Sequence, residues 1–237
     1  MPALHEPRIH NHLLNRLPEE ELNALREVLE YVELPHGYVM AGPDKVIEYV
    51  YFLSEGIGSV LTVMGESQRV EAGMFGVEGF SPTSAAVGGT ISVHEIFMLI
   101  EGSGWRVGLE DFSRVVAANP AFADLLVKYN QTFISQVSYT ALASVALQMH
   151  ERVARWLLMC HDRMGGNEIT LTHDAISHVL GVRRPSITTA LHILEGKRLI
   201  RAERGRITIR DRGAIEAMVG ETYGKPEAEY RRLLGEL

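Results

Sequence analysis

The twenty residues THDAISHVLGVRRPSITTAL, numbered 172–191, predict two short helices joined by a tight turn. Thr172 can cap the first helix, because its hydroxyl can accept a hydrogen bond from a free amide of the first turn. Gly181 stands where such a turn needs a residue that tolerates a positive φ. Pro185 fits the first turn of the second helix, where its missing N–H costs little. This spacing is typical of a helix-turn-helix, whose second helix enters the major groove of DNA.

The second of these helices has an apolar inner side and a polar outer side. Its inner stripe consists of residues at helical spacing, namely Ile187, Ala190, Leu191 and Leu194. The outer side carries Arg184, Ser186 and Thr189. An arginine in this position can donate two hydrogen bonds to guanine, and small hydroxyls beside it can reach base edges. We therefore predict that these three residues read DNA bases.

The run LIRAERGRITI, residues 199–209, predicts a two-stranded wing that turns at Gly205. Its arginines are suited to backbone phosphates, which supply affinity and position without sequence information. We predict that phosphate contacts come from both the helix-turn-helix and the wing. The predicted residues are Thr172, Arg183, Thr188, Arg204 and Arg206.

The charge of the chain is distributed unevenly. The net charge is −7, and residues 1–150 carry 8 Lys and Arg against 18 Asp and Glu. Residues 167–212, in contrast, carry 9 basic against 5 acidic side chains. An acidic body with one basic segment indicates that DNA contact is confined to the C-terminal part.

The N-terminal half has a different periodicity. Residues 12–30 predict short helices, and the stretches that follow are short and rich in β-branched or aromatic residues. Turn signals such as those at 54–56 and 101–104 separate the stretches. Many short strands predict a sandwich or barrel of the jelly-roll type. The predicted strands are 32–34, 46–53, 57–63, 69–74, 91–100 and 105–109.

A long helix is predicted next, beginning at Asp111 or at Asn119 and running to about Gln148. One apolar face includes Phe122 and Phe133 and can lie on the β domain. A second face, with Ile134, Ala141 and Val145, needs another partner. The alternatives are burial inside one domain and self-association, and we favour a dimer helix. The predicted class is α+β, with a β domain at 1–118, a dimerisation helix at 119–148 and a DNA-binding domain at 149–237.

Three segments resemble the Crp/Fnr family of bacterial regulators, and the resemblance spans essentially the whole chain. They are IEYVYFLSEG (47–56), GMFGVEG (73–79) and LGVRRPS (180–186). The resemblance implies a cyclic-nucleotide-binding-like double-stranded β-helix, a dimerisation helix, and a winged helix-turn-helix that binds a palindromic operator as a homodimer. Arg184 falls on the family's base-reading arginine. Pro185 replaces its usual glutamate partner and Thr189 replaces the second arginine of the cyclic-AMP receptor subgroup, so we expect a different operator.

The resemblance also implies an effector pocket, for which the matching residues are Gly76, Glu78, Gly79 and Ser92. Glu78 matches the family's ribose-binding glutamate, although it could instead cap a turn. Residues 82–100 contain no Arg or Lys, and Ser92 lies where the family has its phosphate-binding arginine. A buried phosphate without a cation is costly, although backbone N–H groups around Gly76 and Gly79 could compensate in part. We therefore expect an unknown small-molecule effector and no tight binding of cyclic AMP.

Several other classes of site are disfavoured. The single Cys160, expected to be a buried thiol, excludes an internal disulfide and a four-cysteine iron–sulfur cluster. His10 and His12 have the spacing of metal ligands, but we expect no metal site, no cofactor and no catalytic residues. Haem stays open, because ten histidines and nine methionines could supply ligands, although no ligand pair is legible. The alternative functions are a cupin-like enzyme and a cyclic-nucleotide-binding module that regulates a partner protein.

Location and partners follow from the same features. Residues 1–6 lack the basic and apolar pattern of a signal peptide, and no segment reaches the ~18 apolar residues of a membrane span. We expect a cytoplasmic protein without membrane contact. Its expected partners are double-stranded DNA, a second copy of the chain, RNA polymerase and the unknown effector.

Overall fold

The computed structural model describes residues 8–65 and 68–236, so residues 1–6, which bear on the signal-peptide prediction, lie outside this part. Its strands are β1 (Glu30–Leu34), β2 (Val39–Ala41), β3 (Lys45–Val46), β4 (Tyr49–Met64), β5 (Gln68–Phe75), β6 (Ile91–Ser92), β7 (Glu95–Gly108), β8 (Glu168–Ile169), β9 (Ile200–Glu203) and β10 (Arg206–Ile209). Its helices are α1 (Glu19–Arg26), α2 (Leu109–Ala118), α3 (Pro120–Ala146), α4 (Met149–His161), α5 (His173–Val179), α6 (Arg184–Gly196), α7 (Arg212–Val219) and α8 (Lys225–Leu234).

The N-terminal sheet is antiparallel and is built around two long strands. Its order is β1-β7-β4-β5, with β2 also paired to β7, and β3 and β6 form a separate two-stranded sheet. At the C-terminal end, β8, β10 and β9 form the three-stranded sheet of the wing. The predicted α+β class with an antiparallel β domain is confirmed.

The predicted turns at 54–56 and 101–104 are wrong. Strands β4 and β7 run straight through them, and the pairing shifts register between Leu53 and Gly58. Gly56 has a φ of +87° inside β4, and a Cβ on Gly102 would lie 2.1 Å from the carbonyl oxygen of Glu55. These glycines therefore do not form turns. They permit bulges and a close approach of two strands, which are common roles of glycine within a strand.

The long helix starts at the second of the two predicted positions. The Asn119 side chain accepts a hydrogen bond from the amide of Phe122 at 2.9 Å, which caps α3 and separates it from α2. The face with Phe122 and Phe133 is buried as predicted, whereas Ile134 and Val145 are 58% and 89% exposed.

The first hydrophobic core lies inside the β domain and contains an aromatic cluster of Phe52, Phe80, Phe112 and Phe122. Tyr230 of α8 belongs to this same core. Helix α8 comes from the segment that we predicted as the DNA-binding domain, yet it packs along α3. The C-terminal end of the chain therefore returns to the β domain, while the domain boundaries themselves stay a prediction.

The second core joins the two halves of the molecule. It contains the interior of the winged helix together with side chains from β4, β5 and β7, among them Ile57, Leu61 and Met74. On the C-terminal side, the core includes Trp156 and Leu157 of α4. Burial of these apolar side chains stabilises the docking of the winged helix on the sheet.

Candidate nucleic-acid interface

The helix-turn-helix has the local geometry that its sequence predicts. Thr172 Oγ1 accepts a hydrogen bond from the amide of Ala175 at 3.1 Å and caps α5. Gly181 has a φ of +65°, and Pro185 lies in the first turn of α6. The inner stripe of α6 is buried as predicted, and its members are Ile187, Ala190, Leu191 and Leu194.

The three predicted base-reading residues, Arg184, Ser186 and Thr189, all lie on α6 outside its buried stripe. The Arg184 side chain is 63% exposed, and its Nε lies 3.5 Å from Oδ1 of an equally exposed Asp174. Such a surface pair contributes little to stability and is screened by salt. Arg184 is therefore available to a guanine edge. To reach it, the side chain would give up only its weak contact with Asp174.

The five predicted phosphate contacts lie in different surroundings. Arg183 and Arg204 are exposed, and Arg206 Nη1 lies 3.7 Å from Oε1 of Glu168. The Thr188 hydroxyl lies 3.0 Å from Nδ1 of His173, and the Thr172 hydroxyl caps α5. The three arginines can therefore turn to solvent, whereas both threonine hydroxyls already stabilise the motif. The wing turns at Gly205 as predicted, with a φ of +73°.

The β4–β5 hairpin of the N-terminal sheet lies directly beside the turn of the helix-turn-helix. A Cβ on Gly181 would lie 2.9 Å from the carbonyl oxygen of Arg69 in β5. Val70 of β5, together with Arg183 and Ser186, lines the groove between the two elements. The hairpin thus borders the start of α6, and nothing in the sequence indicates this contact.

Glu78, the predicted ribose ligand, is bound by the protein itself. Its Oε1 accepts hydrogen bonds from Arg163, with distances of 2.8 Å to Nε and 2.7 Å to Nη2, and its Oε2 accepts from the amide of Gly76 at 2.9 Å. The two charged side chains are only 8% and 11% exposed. Burial alone would lower the pKa of Arg163, but the Glu78 carboxylate raises it above its ordinary value.

The other three residues of the predicted effector pocket are placed differently. Gly79 is needed for close packing, because a Cβ there would lie 2.0 Å from Cζ of Tyr129 on α3. Gly76 lies against the Glu78–Arg163 pair. Ser92 instead closes a local turn in β6, where its hydroxyl donates to the carbonyl oxygen of His94 at 2.8 Å. The structure therefore brings Gly76, Glu78 and Gly79 together without Ser92.

A second buried carboxylate connects the sheet to α4. Glu71 in β5 is 4% exposed and accepts hydrogen bonds from the Ser59 hydroxyl at 2.6 Å and from Trp156 Nε1 at 2.8 Å. Burial raises the pKa of Glu71 to about 7. The sequence analysis missed both Glu71 and Arg163, because each meets its partner 85 residues away along the chain and no motif marks the pairs.

Other sequence expectations can be located as well. Cys160 is fully buried, as predicted, and burial raises the pKa of its thiol. Asn11, between His10 and His12, is buried and donates to the carbonyl oxygens of Leu53 and Gly79. In the described ranges 8–65 and 68–236, no three His, Cys, Asp or Glu side chains are grouped as metal ligands would be. Within the same ranges, no helix has the length and apolar character needed to cross a bilayer.

Known proteins resemble this chain in two ways. Residues 151–218 match the model of the Crp-like helix-turn-helix domain. Among solved structures, FixK2 from Bradyrhizobium japonicum has a TM-score of 0.67 at 18% identity, covering 81% of this chain and 98% of its own. A CRP-family transcriptional regulator from Thermus thermophilus also has a TM-score of 0.67, at 17% identity and with coverage of 80% and 96%.

A third similar structure is the c-di-GMP-responsive global regulator CLP from Xanthomonas campestris. It has a TM-score of 0.65 at 12% identity, with coverage of 81% of this chain and 99% of its own. At these identities the likeness establishes the shared fold. No curated protein matches the sequence. The chain therefore carries a Crp-like helix-turn-helix domain at residues 151–218, on a fold that it shares with these solved structures.

Proposed function

We propose that the protein is a sequence-specific DNA-binding regulator that binds a palindromic operator as a homodimer, with α6 in the major groove. The observation that carries this proposal is the division of α6 into a fully buried apolar side and an outer side with Arg184, Ser186 and Thr189. The proposal includes a cytoplasmic location, contact with RNA polymerase and no enzymatic activity.

The exposed face of α3 supports the homodimer. Four large apolar side chains, which are 50–89% exposed, form a stripe along the helix: Val127, Ile134, Leu142 and Val145. Contiguous apolar surface of this kind is typical of an interface. Pairing of two α3 helices would create two-fold symmetry and place two α6 helices about 34–36 Å apart, on successive turns of one face of DNA.

We further propose that cyclic AMP is not the effector. The Glu78 carboxylate is already paired with Arg163, and the Gly76 amide already donates to Glu78. The amide of Gly79 donates to the carbonyl oxygen of Gly76 at 3.3 Å. A ribose and a phosphate would therefore have to displace existing bonds. We expect no thermal stabilisation at micromolar cyclic AMP, and clear stabilisation would contradict this part of the proposal.

Arg184→Ala tests the reading of bases. We expect it to weaken operator binding by about 1–3 kcal/mol and to abolish discrimination at one base pair in each half-site, because a bidentate contact to guanine is lost. The operator is first selected from genomic fragments, and affinities for it and for its single-base variants are measured by fluorescence anisotropy at one salt concentration. The matched control is Arg206→Ala, which should weaken all sequences alike. Undiminished discrimination by Arg184→Ala would show that this side chain does not read the base.

Ile134→Glu tests the dimer. A carboxylate in the middle of an apolar helix pair would be desolvated without a partner, so we expect dissociation to monomers and loss of high-affinity operator binding. Sedimentation equilibrium gives the mass, and anisotropy gives the affinity. Ser144→Glu is the control, because Ser144 is exposed on α3 away from the stripe. A dimer that survives Ile134→Glu with unchanged affinity argues against association through α3.

A further inference from the structure

The last helix of the chain is held on the β domain and on α3. Tyr230 and Leu234 of α8 are each 6% exposed and belong to the hydrophobic core of the β domain. The Tyr230 hydroxyl donates to the carbonyl oxygen of Glu78 at 3.0 Å, and Arg16 Nη2 donates to the carbonyl oxygen of Glu236 at 2.5 Å. Helix α8 also lies along α3. The chain that leaves the winged helix is therefore anchored again on the N-terminal half.

A short connector, residues 220–224, joins α8 to α7 of the winged helix. Two of its residues are bound to α4 and to the end of that helix. Arg155 Nε donates to the carbonyl oxygen of Thr222 at 2.8 Å, and the Tyr223 hydroxyl donates to Oδ2 of Asp162 at 2.7 Å. A connector of this length that is held at two points has little slack. A rotation of the winged helix would therefore pull directly on α8.

The winged helix is also connected to the β domain at its other end. Helix α4, which packs against α6 and α7, follows α3 through Leu147 and Gln148, and both of these residues have an extended backbone. Two separate helices joined in this way can turn relative to each other at the joint. A body tied at one point can turn about any axis through that point, whereas a body tied at two points can turn only about the line that joins them. The α8 anchor therefore removes most of the rotational freedom.

The contact between the winged helix and the sheet leaves room for such a rotation. A groove of about 980 Å³ lies between the β4–β5 hairpin and the helix-turn-helix. Two carboxylates, Glu71 and Glu78, meet Trp156 and Arg163 between the two halves, so the contact is partly polar. Relative motion is the usual behaviour of domains that share an interface of mixed character. A second covalent anchor therefore fixes an orientation that the interface alone would leave variable.

We propose that α8 is a strap that fixes the orientation of the winged helix and thereby sets the half-site spacing that the protein accepts in an operator. This statement rests on the proposed binding of palindromic DNA by a homodimer. One additional base pair between the half-sites moves one of them by about 3.4 Å along the DNA axis and rotates it by about 34–36°. A dimer whose α6 helices keep one orientation cannot follow this displacement, whereas a dimer whose winged helices turn freely can.

A flexible insertion between Tyr223 and Gly224 tests the strap without removing a buried side chain. About ten Gly and Ser residues at this point leave Thr222 and Tyr223 bound as before and leave Gly224 as the N-cap of α8. We therefore expect a thermal midpoint close to that of wild type. The matched control carries the same insertion between Gly165 and Gly166, which are exposed and lie outside both connections to the β domain.

Operators with no, one or two added base pairs between the half-sites give the spacing profile by fluorescence anisotropy. In wild type and in the control, we expect one added base pair to weaken binding about a hundredfold, because only one half-site can be engaged. The strap variant should lose less than about tenfold, because its winged helices can follow the displaced half-site. Its affinity for the original spacing should fall about threefold, because the orientation is no longer fixed in advance. Equal profiles in the strap variant and wild type overturn the proposal, as does a wild type that tolerates the added base pair.

Quenching of Trp156 fluorescence tests the orientation without DNA. Trp156 is 3% exposed and its Nε1 donates to Glu71 on the sheet, so rotation of the winged helix exposes its ring. Trp105→Phe leaves Trp156 as the single tryptophan. In this background we expect the strap insertion to raise acrylamide quenching about twofold or more and the control insertion to leave it unchanged. Unchanged quenching in the strap variant overturns the proposal. If the protein binds no operator, the proposed function fails, while the quenching result still decides whether α8 holds the winged helix.

Discussion

Arg163→Ala is expected to lower the free energy of unfolding by about 3–5 kcal/mol, because it leaves the Glu78 carboxylate buried without a cation. Arg163 donates to Glu78 through Nε and also donates through Nη1 to the carbonyl oxygen of Met159 at 2.8 Å. The Gly76 amide is the remaining donor to Glu78, and one neutral donor cannot replace a guanidinium. Urea denaturation followed by circular dichroism gives the free energy.

The double variant Glu78→Gln/Arg163→Met shows whether Arg163→Ala loses stability because Glu78 is left unpaired or because packing is lost. Both replacements are uncharged and similar in size, so we expect the double variant to recover most of the stability lost in Arg163→Ala. Arg232→Ala serves as the control, because Arg232 pairs with Glu229 on the exposed side of α8. The urea midpoint of this variant should stay nearly unchanged. If Arg163→Ala were as stable as wild type, Glu78 would have to reach solvent or a second cation, contrary to its burial.

Glu71→Gln is expected to stabilise the protein at neutral and alkaline pH by about 3 kcal/mol, since the folded-state pKa of Glu71 is raised from 4.5 to about 7. Glutamine resembles the protonated acid, as its oxygen can accept from Trp156 Nε1 and its amide can donate to the Ser59 hydroxyl. Arg155 and Arg163 favour the ionised form of Glu71 but do not offset its burial.

The pH dependence of this effect has a definite sign. A raised carboxyl pKa means that the folded state holds its proton more tightly than the unfolded state does. The stability contributed by protonated Glu71 is therefore complete below pH 4.5 and is lost as the pH rises through about 7. Wild type and Glu71→Gln should have equal stability near pH 4 and differ most near pH 8 in urea titrations. Exposed Glu48→Gln should follow the wild-type profile, and an identical profile for Glu71→Gln would refute the shift.

The winged helix-turn-helix can be predicted from the sequence in detail because its determinants are local. The Thr172 cap, the positive φ of Gly181, the place of Pro185 and the buried stripe of α6 all agree with the structure. Capping and turn geometry depend on residues three or four positions apart, which the sequence displays directly. The same reasoning misplaces the glycines of β4 and β7, since a glycine in a bulge and a glycine in a turn look alike until the partner strand is known.

The surroundings of Glu78 can be predicted only as far as the family resemblance reaches. The resemblance singles out Glu78, but its partner Arg163 lies in the C-terminal half and its neighbour Tyr230 lies on the last helix. No period or motif connects residues so far apart, and their meeting depends on how α4 and α8 pack against the sheet and α3. The exposed stripe on α3, in contrast, follows from helical spacing.

The order of amino acids alone is enough to specify a winged helix-turn-helix with Arg184 on its outer face, because helix caps, turn glycines and apolar periodicity act over a few residues. The tertiary structure alone decided the state of Glu78. This carboxylate is paired with Arg163, and the pair cannot be inferred from the order of residues. Burial removes a carboxylate from water only when distant segments close over it, and the energy of its pairing with a cation then depends on that enclosure.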